Sequence, residues 1–355
     1  MYKDRIELYQ KLEKEFDSKL IVYVTSDRAN MSAQIAPDVI DFFVDQLDTI
    51  GSCEKISLYL YTRGGDMAAA WNIVNLLRMY CEQLQVIVPH KAHSAGTIIS
   101  LGANEIIMTK QATLGPIDPS LSSPLNPSVQ NGKNQQRQIV PVSVEAVKGY
   151  LEFAKNEANI NDESAMTSVL LKLSESVHPL VLGQVYRSRA QIQMLAEKLL
   201  SNQFVDSEEK IKKVVSFLCS DSGSHDYTIN RREAKNDLGL NVVKPTEEQY
   251  QIIKAIYDNI KNELKFNSPF NPSNINGEYA SRRSLLESIC GGSDYFVTEG
   301  EIVHLSFSDG KSGISNVESF SGWRHEPAET SDPEVYTDNA GIEGLKYEKS
   351  DDFKM

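Results

Sequence analysis

Residues 55–109, KISLYLYTRGGDMAAAWNIVNLLRMYCEQLQVIVPHKAHSAGTIISLGANEIIMT, decide the fold. The run 55–61 (KISLYLY), rich in leucine and tyrosine, reads as a strand, and TRGG follows it as a turn. Over 67–80, Ala70, Ile73, Val74 and Leu77 recur at helical spacing. A second strand over 84–89 meets a short turn and an apolar helix over 95–103, and a third strand follows over 105–109. Strands alternating with helices at this interval imply right-handed βαβ crossovers and a mostly parallel sheet. In such sheets ligands sit at the carboxyl ends of the strands, where TRGG and HSAG both fall.

Working outward, 5–16 reads as an amphipathic helix, 19–25 as a strand and 37–50 as a second helix, with Val39, Phe42, Phe43 and Leu47 on its apolar face. The stretch 115–141 is rich in Pro, Ser, Asn and Gln, so a long mobile loop is expected there. Helical patterns return over 144–155 and 178–200. A further helix lies within 204–240, where INRREA (229–234) marks a helix entry. Beyond 266 the runs DYFVTEG and EIVHLSFSDG predict a small β-rich extension over 266–325. Residues 326–355 are acidic and poor in large apolar groups, which predicts a flexible tail. The catalytic domain is then 1–265, with its core motifs over 55–243.

Composition narrows the function. The chain has 355 residues, 41% hydrophobic and 24% charged, enough for a normal buried core. A net charge of −13 opposes binding to nucleic acid or to an anionic membrane surface, both of which need clustered Lys and Arg. The N-terminus has no apolar secretory segment, and no stretch approaches the roughly 20 apolar residues that span a bilayer, so a cytoplasmic protein is expected. The four cysteines (Cys53, Cys81, Cys219, Cys290) have no metal-binding spacing, and no metal or cofactor is expected. Neither a GxxxxGK[ST] nor a GxGxxG motif is present, so nucleotide-driven and nicotinamide chemistry are both unsupported.

Two turns carry the candidate chemistry. Paired glycines after a buried strand let Gly64 and Gly65 turn sharply and present backbone N–H groups. Ser94 lies on a strand-to-helix bend with little cover, and the Ala95 N–H at the helix start can donate to a developing oxyanion. Taken alone, either turn could be purely structural, because serine is also a common helix N-cap. Two such turns one βαβ unit apart fall on adjacent strands, where one can supply amides and the other a nucleophile. His90 and His93 flank the serine but read as structural residues.

The run LYLYTRGGDMAAAWNIVNLLR…VPHKAHSAGTIISLGANEIIMTKQATLGPIDP resembles the Clp-protease/crotonase superfamily, and within it the serine dehydrogenase proteinase family and its signal-peptide-peptidase-like relatives. The resemblance is strong over 55–120 and continues more weakly to about 243. It implies Ser94 as nucleophile, Gly64 or Gly65 with Ala95 as oxyanion amides, and a fold of repeated βαβ units.

The resemblance leaves the general base open. Where Clp proteases place a histidine after the third strand, this chain has Ile117 and Asp118. Signal-peptide-peptidase relatives use a lysine whose position falls near Val142, and the nearest helical lysine is Lys148. His225, in the HDY segment, sits where Clp proteases bring in their aspartate, with Asp226 beside it as a supporting carboxylate. His178, at the start of the long helix, is a third contender, and Asp118 could orient a base.

The leading reading is an ATP-independent serine peptidase acting on peptide or protein. A crotonase-like enzyme that polarises a thioester without covalent catalysis is one alternative. A catalytically degenerate scaffold is another. The helix over 182–200 carries Val185, Ile192, Leu195 and Leu199, more apolar surface than a free helix tolerates, so a homo-oligomer is expected.

Overall fold

The computed structural model describes residues 1–117, 120–121, 123–131, 136–204, 207–221, 226–306 and 312–328. In chain order these form α1 (Ile6–Phe16), β1 (Lys19–Thr25), α2 (Ile40–Ile50), β2 (Cys53–Tyr61), α3 (Met67–Tyr80), β3 (Cys81–Val88), β4 (Lys91–Ala92), α4 (Ala95–Leu101), β5 (Glu105–Met108) and β6 (Thr113–Leu114). Next come β7 (Ser120–Leu121), β8 (Ser128–Asn131), β9 (Gln136–Ile139), β10 (Val142–Ser143), α5 (Val144–Glu152), α6 (Glu163–Ser176), α7 (Pro179–Leu200) and α8 (Glu208–Ser216). The chain continues through β11 (Ile229–Asn230), α9 (Arg231–Asn236), β12 (Val242–Val243), α10 (Glu247–Glu263), β13 (Gly277–Ser288), β14 (Gly292–Ser306) and β15 (Ser312–Glu326).

The central sheet has eight strands in the order β12-β5-β3-β2-β1-β13-β14-β15. The five strands from β12 to β1 run parallel, as the βαβ periodicity implies. The last three are antiparallel and join the sheet through β13, which pairs with β1 from Ile21↔Ser288 to Thr25↔Ser284. The β-rich run after 266 is thus an extension of the same sheet, while 329–355 lie outside the described residues.

Helices cover both faces of the parallel part. Leu58 and Leu60 point into a large core with α2, α3 and α4, whereas Tyr59 and Tyr61 point into a second core with α1 and α10. That alternation is the period-2 geometry of a strand with two covered faces. A buried ionic cluster ties the N-terminal segment to α10 and β13 on the second face. Arg5, fully buried, bonds Glu287 Oε1 at 2.5 Å, Glu263 Oε2 at 2.5 Å and Asn259 Oδ1 at 2.7 Å, and the Tyr9 hydroxyl also donates to Glu287.

Several expectations are revised. The stretch 115–141 is not simply a loop, for β8 and β9 pair as a hairpin from Ser128↔Ile139 to Asn131↔Gln136. β7 pairs with β10. Strands this short leave little pattern in a polar, proline-rich stretch. Two helices, α6 and α10, were not foreseen from periodicity. Their starts are nonetheless written in the sequence: the Asp162 side chain accepts from Ala165 N–H, and Thr246 and Gln249 form a capping box. On α7, Val185, Ile192, Leu195 and Leu199 are buried against the chain's own core. They are therefore not an unpartnered surface, and the outward apolar residues of α7 are Leu180, Tyr186 and Met194.

Candidate active site

β2 and β3 end side by side, and each runs into one of the two turns. An isolated parallel bridge between Thr62 and Ala92 prolongs the pairing: Thr62 N–H donates to Lys91 O at 3.1 Å and His93 N–H to Thr62 O at 3.1 Å. This places Ser94, the next residue, beside the Gly64–Gly65 turn.

Ser94 holds φ 53° and ψ −114°. A left-handed φ strains any residue with a Cβ, on the order of 1–3 kcal/mol, and such strain concentrates at functional sites. The bend lifts the hydroxyl over the start of α4, as in a nucleophile elbow. Among the described residues its Oγ has no hydrogen-bond partner. Ser94 packs directly on Gly64, where a Cβ would meet Ser94 Cβ at 2.7 Å and Oγ at 3.2 Å.

The backbone amides around Ser94 sort themselves by their partners. Gly64 N–H is taken, donating to Thr62 Oγ1 at 3.0 Å. Ile35 runs along the far side of the turn, its N–H donating to Gly64 O at 2.9 Å and its carbonyl accepting from Asp66 N–H at 2.8 Å. Gly65 N–H therefore projects away from Ile35, because successive strand amides alternate in direction. Among the described residues neither Gly65 N–H nor Ala95 N–H has an acceptor. Asp66 caps α3 through Ala69 N–H at 2.6 Å, which anchors the turn from behind.

The other side of Ser94 is framed by a small sheet, β4-β6-β11, in which Ala92, Leu114 and Ile229 lie at one level. The Thr97 hydroxyl, in the first turn of α4, shares its one proton between Gly115 O at 2.8 Å and Ala92 O at 3.0 Å and accepts from Gly115 N–H at 3.1 Å. It locks the GPI segment against the serine helix. His93 Nε2 bonds Thr113 Oγ1 at 2.8 Å. His90 is held among Tyr61 and Tyr257, and burial pushes its imidazole below the usual pKa, helped by Lys91.

His225 and Asp118 lie outside the described residues. Asp226 is exposed on a turn. Lys148 forms an i,i+4 ion pair with Glu152 at 3.5 Å and lines an apolar groove with Leu151, Leu170, Leu182 and Tyr186. No hydrogen bond links it to Ser94 among the described residues. His178 is the N-cap of α7, and its Nδ1 accepts from Leu180 N–H at 3.2 Å. That bond occupies the lone pair a base would need. Thr25, Ile35 and Thr62, none of which the sequence singles out, hold the glycine turn through hydrogen bonds of 2.8–3.0 Å.

Among the described residues no helix is long and apolar enough to cross a membrane, and no group of His, Cys, Asp and Glu could hold a metal ion. Residues 47–143 match the family of ClpP-like SDH-type serine proteinases. An uncharacterized protein of Methanocaldococcus jannaschii is 30% identical over 204 residues, 58% of this chain and 59% of that protein, so the chain spans about three fifths of that curated relative. Among solved structures, a mutant of the 1510-N membrane-bound stomatin-specific protease aligns with a TM-score of 0.34 and 16% identity, covering 70% of this chain and 86% of that one. A ClpP1 mutant from Listeria monocytogenes aligns with a TM-score of 0.35 and 16% identity, covering 68% and 99%.

Proposed function

We propose, from the premise that this chain belongs through residues 47–143 to the ClpP-like SDH-type serine proteinases, that it is a serine peptidase with Ser94 as its nucleophile. The observation that supports the reading is Ser94 itself, held at φ 53° against the Gly64–Gly65 turn and without a hydrogen-bond partner for its Oγ among the described residues. Ser94 Oγ, its proton taken by the general base, attacks a peptide carbonyl, and the negative oxygen that forms accepts from Gly65 N–H and Ala95 N–H. Collapse expels the amine with a proton from the general base and leaves an acyl group on Ser94. Water activated by the same base then releases the second product. A site that only polarises a thioester would use the two amides but has no call for a strained serine, which favours the covalent reading.

For the base we favour His225. β11 runs antiparallel to β6 and two strands from β4, so the chain entering β11 comes from the end of the small sheet at which Ser94 sits. Two strand spacings are roughly 10 Å, which a histidine side chain and a bend can close. Lys148 is the alternative. We further propose that hydrolysis needs no ATP, that the substrate is peptide or protein, that the chain works in the cytoplasm without nucleic acid or membrane insertion, and that it is a homo-oligomer.

A fluorophosphonate probe, followed by mapping of the labelled residue, tests the nucleophile. Labelling at Ser94 is expected, and a folded protein left unlabelled there overturns the reading. Light scattering at micromolar concentration should give a multiple of the 39.7 kDa chain.

A further inference from the structure

We infer that Thr62 is the positioning residue of the oxyanion site, the side chain that leaves one glycine amide free and sets its distance from Ser94. The inference rests on the serine-peptidase reading and adds to it a residue that touches no substrate.

Every group of Thr62 is engaged, and the engagements divide between the two turns. Its hydroxyl accepts from Thr25 Oγ1 at 2.8 Å and from Gly64 N–H at 3.0 Å and donates to Gly64 O at 3.3 Å. One donor and two acceptor sites exhaust a hydroxyl. Its backbone holds Lys91 and His93, the approach to Ser94. Its methyl lies against Gly96, where a Cβ would meet Thr62 Cγ2 at 2.4 Å. Gly96 is the second residue of α4, next to Ala95. A single fully buried side chain therefore touches the backbone beside each of the two oxyanion amides.

The consequence is chemical. With the hydroxyl in place, Gly64 N–H is spent on Thr62, and Gly65 N–H, directed away from Ile35, has no acceptor among the described residues. Without it, a buried N–H has no acceptor, and the turn must rotate to find one. Rotation of a GG turn moves Gly65 N–H away from the forming oxyanion, where placement within about half an ångström matters. Thr25, also fully buried, fixes which way the Thr62 hydroxyl proton points. It acts one step further out.

The test uses the full chain and a fluorophosphonate, whose serine adduct carries an oxygen into the oxyanion site. Removing an oxyanion donor outright lowers rates on the order of 10²–10³. Thr62→Val keeps shape but loses the hydroxyl, so phosphonylation of Ser94 should slow about 10- to 100-fold. Thr62→Ser restores the hydroxyl and should recover most of that loss. In a Ser94→Ala background, binding of fluorescein-labelled casein should not change on adding Thr62→Val, which a general structural role would not predict. Should Thr62→Val fail to fold, Thr25→Val replaces it with an expected loss of about 3- to 10-fold. Labelling of wild type and folded Thr62→Val (or Thr25→Val in its place) at equal rates overturns this inference alone. Wild type that does not label at Ser94 overturns the peptidase reading and this inference with it.

Discussion

The Gly64 Cα faces the Ser94 side chain so closely that a methyl group there would lie 2.7 Å from Ser94 Cβ. Gly64 also holds φ 115°, which an L side chain rarely adopts. Gly64→Ala must therefore push the serine aside, and a displacement near 1 Å can lower a rate about 100-fold. We expect a folded protein with labelling and peptidase rates down by about that factor. Rates within twofold of wild type would contradict the packing.

Strain at Ser94 separates two inactive variants. Ser94→Ala and Ser94→Gly both remove the nucleophile, at a cost on the order of 10⁴ or more in kcat. Glycine adopts φ 53° without steric penalty whereas alanine does not. Ser94→Gly should thus be more stable than Ser94→Ala by roughly 1 kcal/mol, measured by urea unfolding. The reverse order would mean that the bend is relaxed.

The base is read from pH. A histidine of ordinary pKa, about 6.5, loses function as pH falls through that value. With His225 as base, kcat/KM should fall on acidification through a single ionisation near neutrality. His225→Gln should abolish that limb, while Lys148→Met keeps most activity because Lys148 is paired with Glu152. The opposite pattern would move the assignment to Lys148.

The Arg5 cluster governs acid stability. Burial by itself would raise the Glu263 carboxyl, yet the Arg5 and Arg282 guanidinium groups outweigh it and hold its pKa below the usual carboxylate range. A depressed folded pKa stabilises the fold above the unfolded value, and the gain is lost as pH falls through the folded one. Tm should therefore drop on acidification below the ordinary glutamate pKa of about 4.3, and Arg5→Met should flatten that drop. Arg5→Met alone should also cost about 3–5 kcal/mol near pH 7, because it leaves Glu287 buried without its cation. Replacing both as Arg5→Met with Glu287→Leu should cost less, as measured by urea unfolding.

The parallel core was legible because a fully buried strand has to be apolar and a crossover helix has to show a 3.6-residue stripe. Residues 55–109 obey both rules, and β2, α3, β3, α4 and β5 fall where the pattern puts them, while the two-residue β4 lies where the pattern shows only a turn. The hairpin β8–β9 was not legible, since four-residue strands held mainly by backbone pairing need no side-chain pattern. The apolar stripe on α7 was legible as a stripe, but a stripe does not say what it faces, and this one faces its own chain.

The site divides in the same way. The sequence by itself determined that two glycines and a serine end neighbouring parallel strands, because chain order and hydrophobic period dictate sheet adjacency. Only the tertiary structure decided which glycine amide lacks an acceptor among the described residues. That choice depends on Thr25, Ile35 and Thr62, which come from three separate segments and meet through hydrogen bonds of 2.8–3.0 Å. Contacts of that kind are set by how distant backbones pack, and nothing local in the chain encodes them.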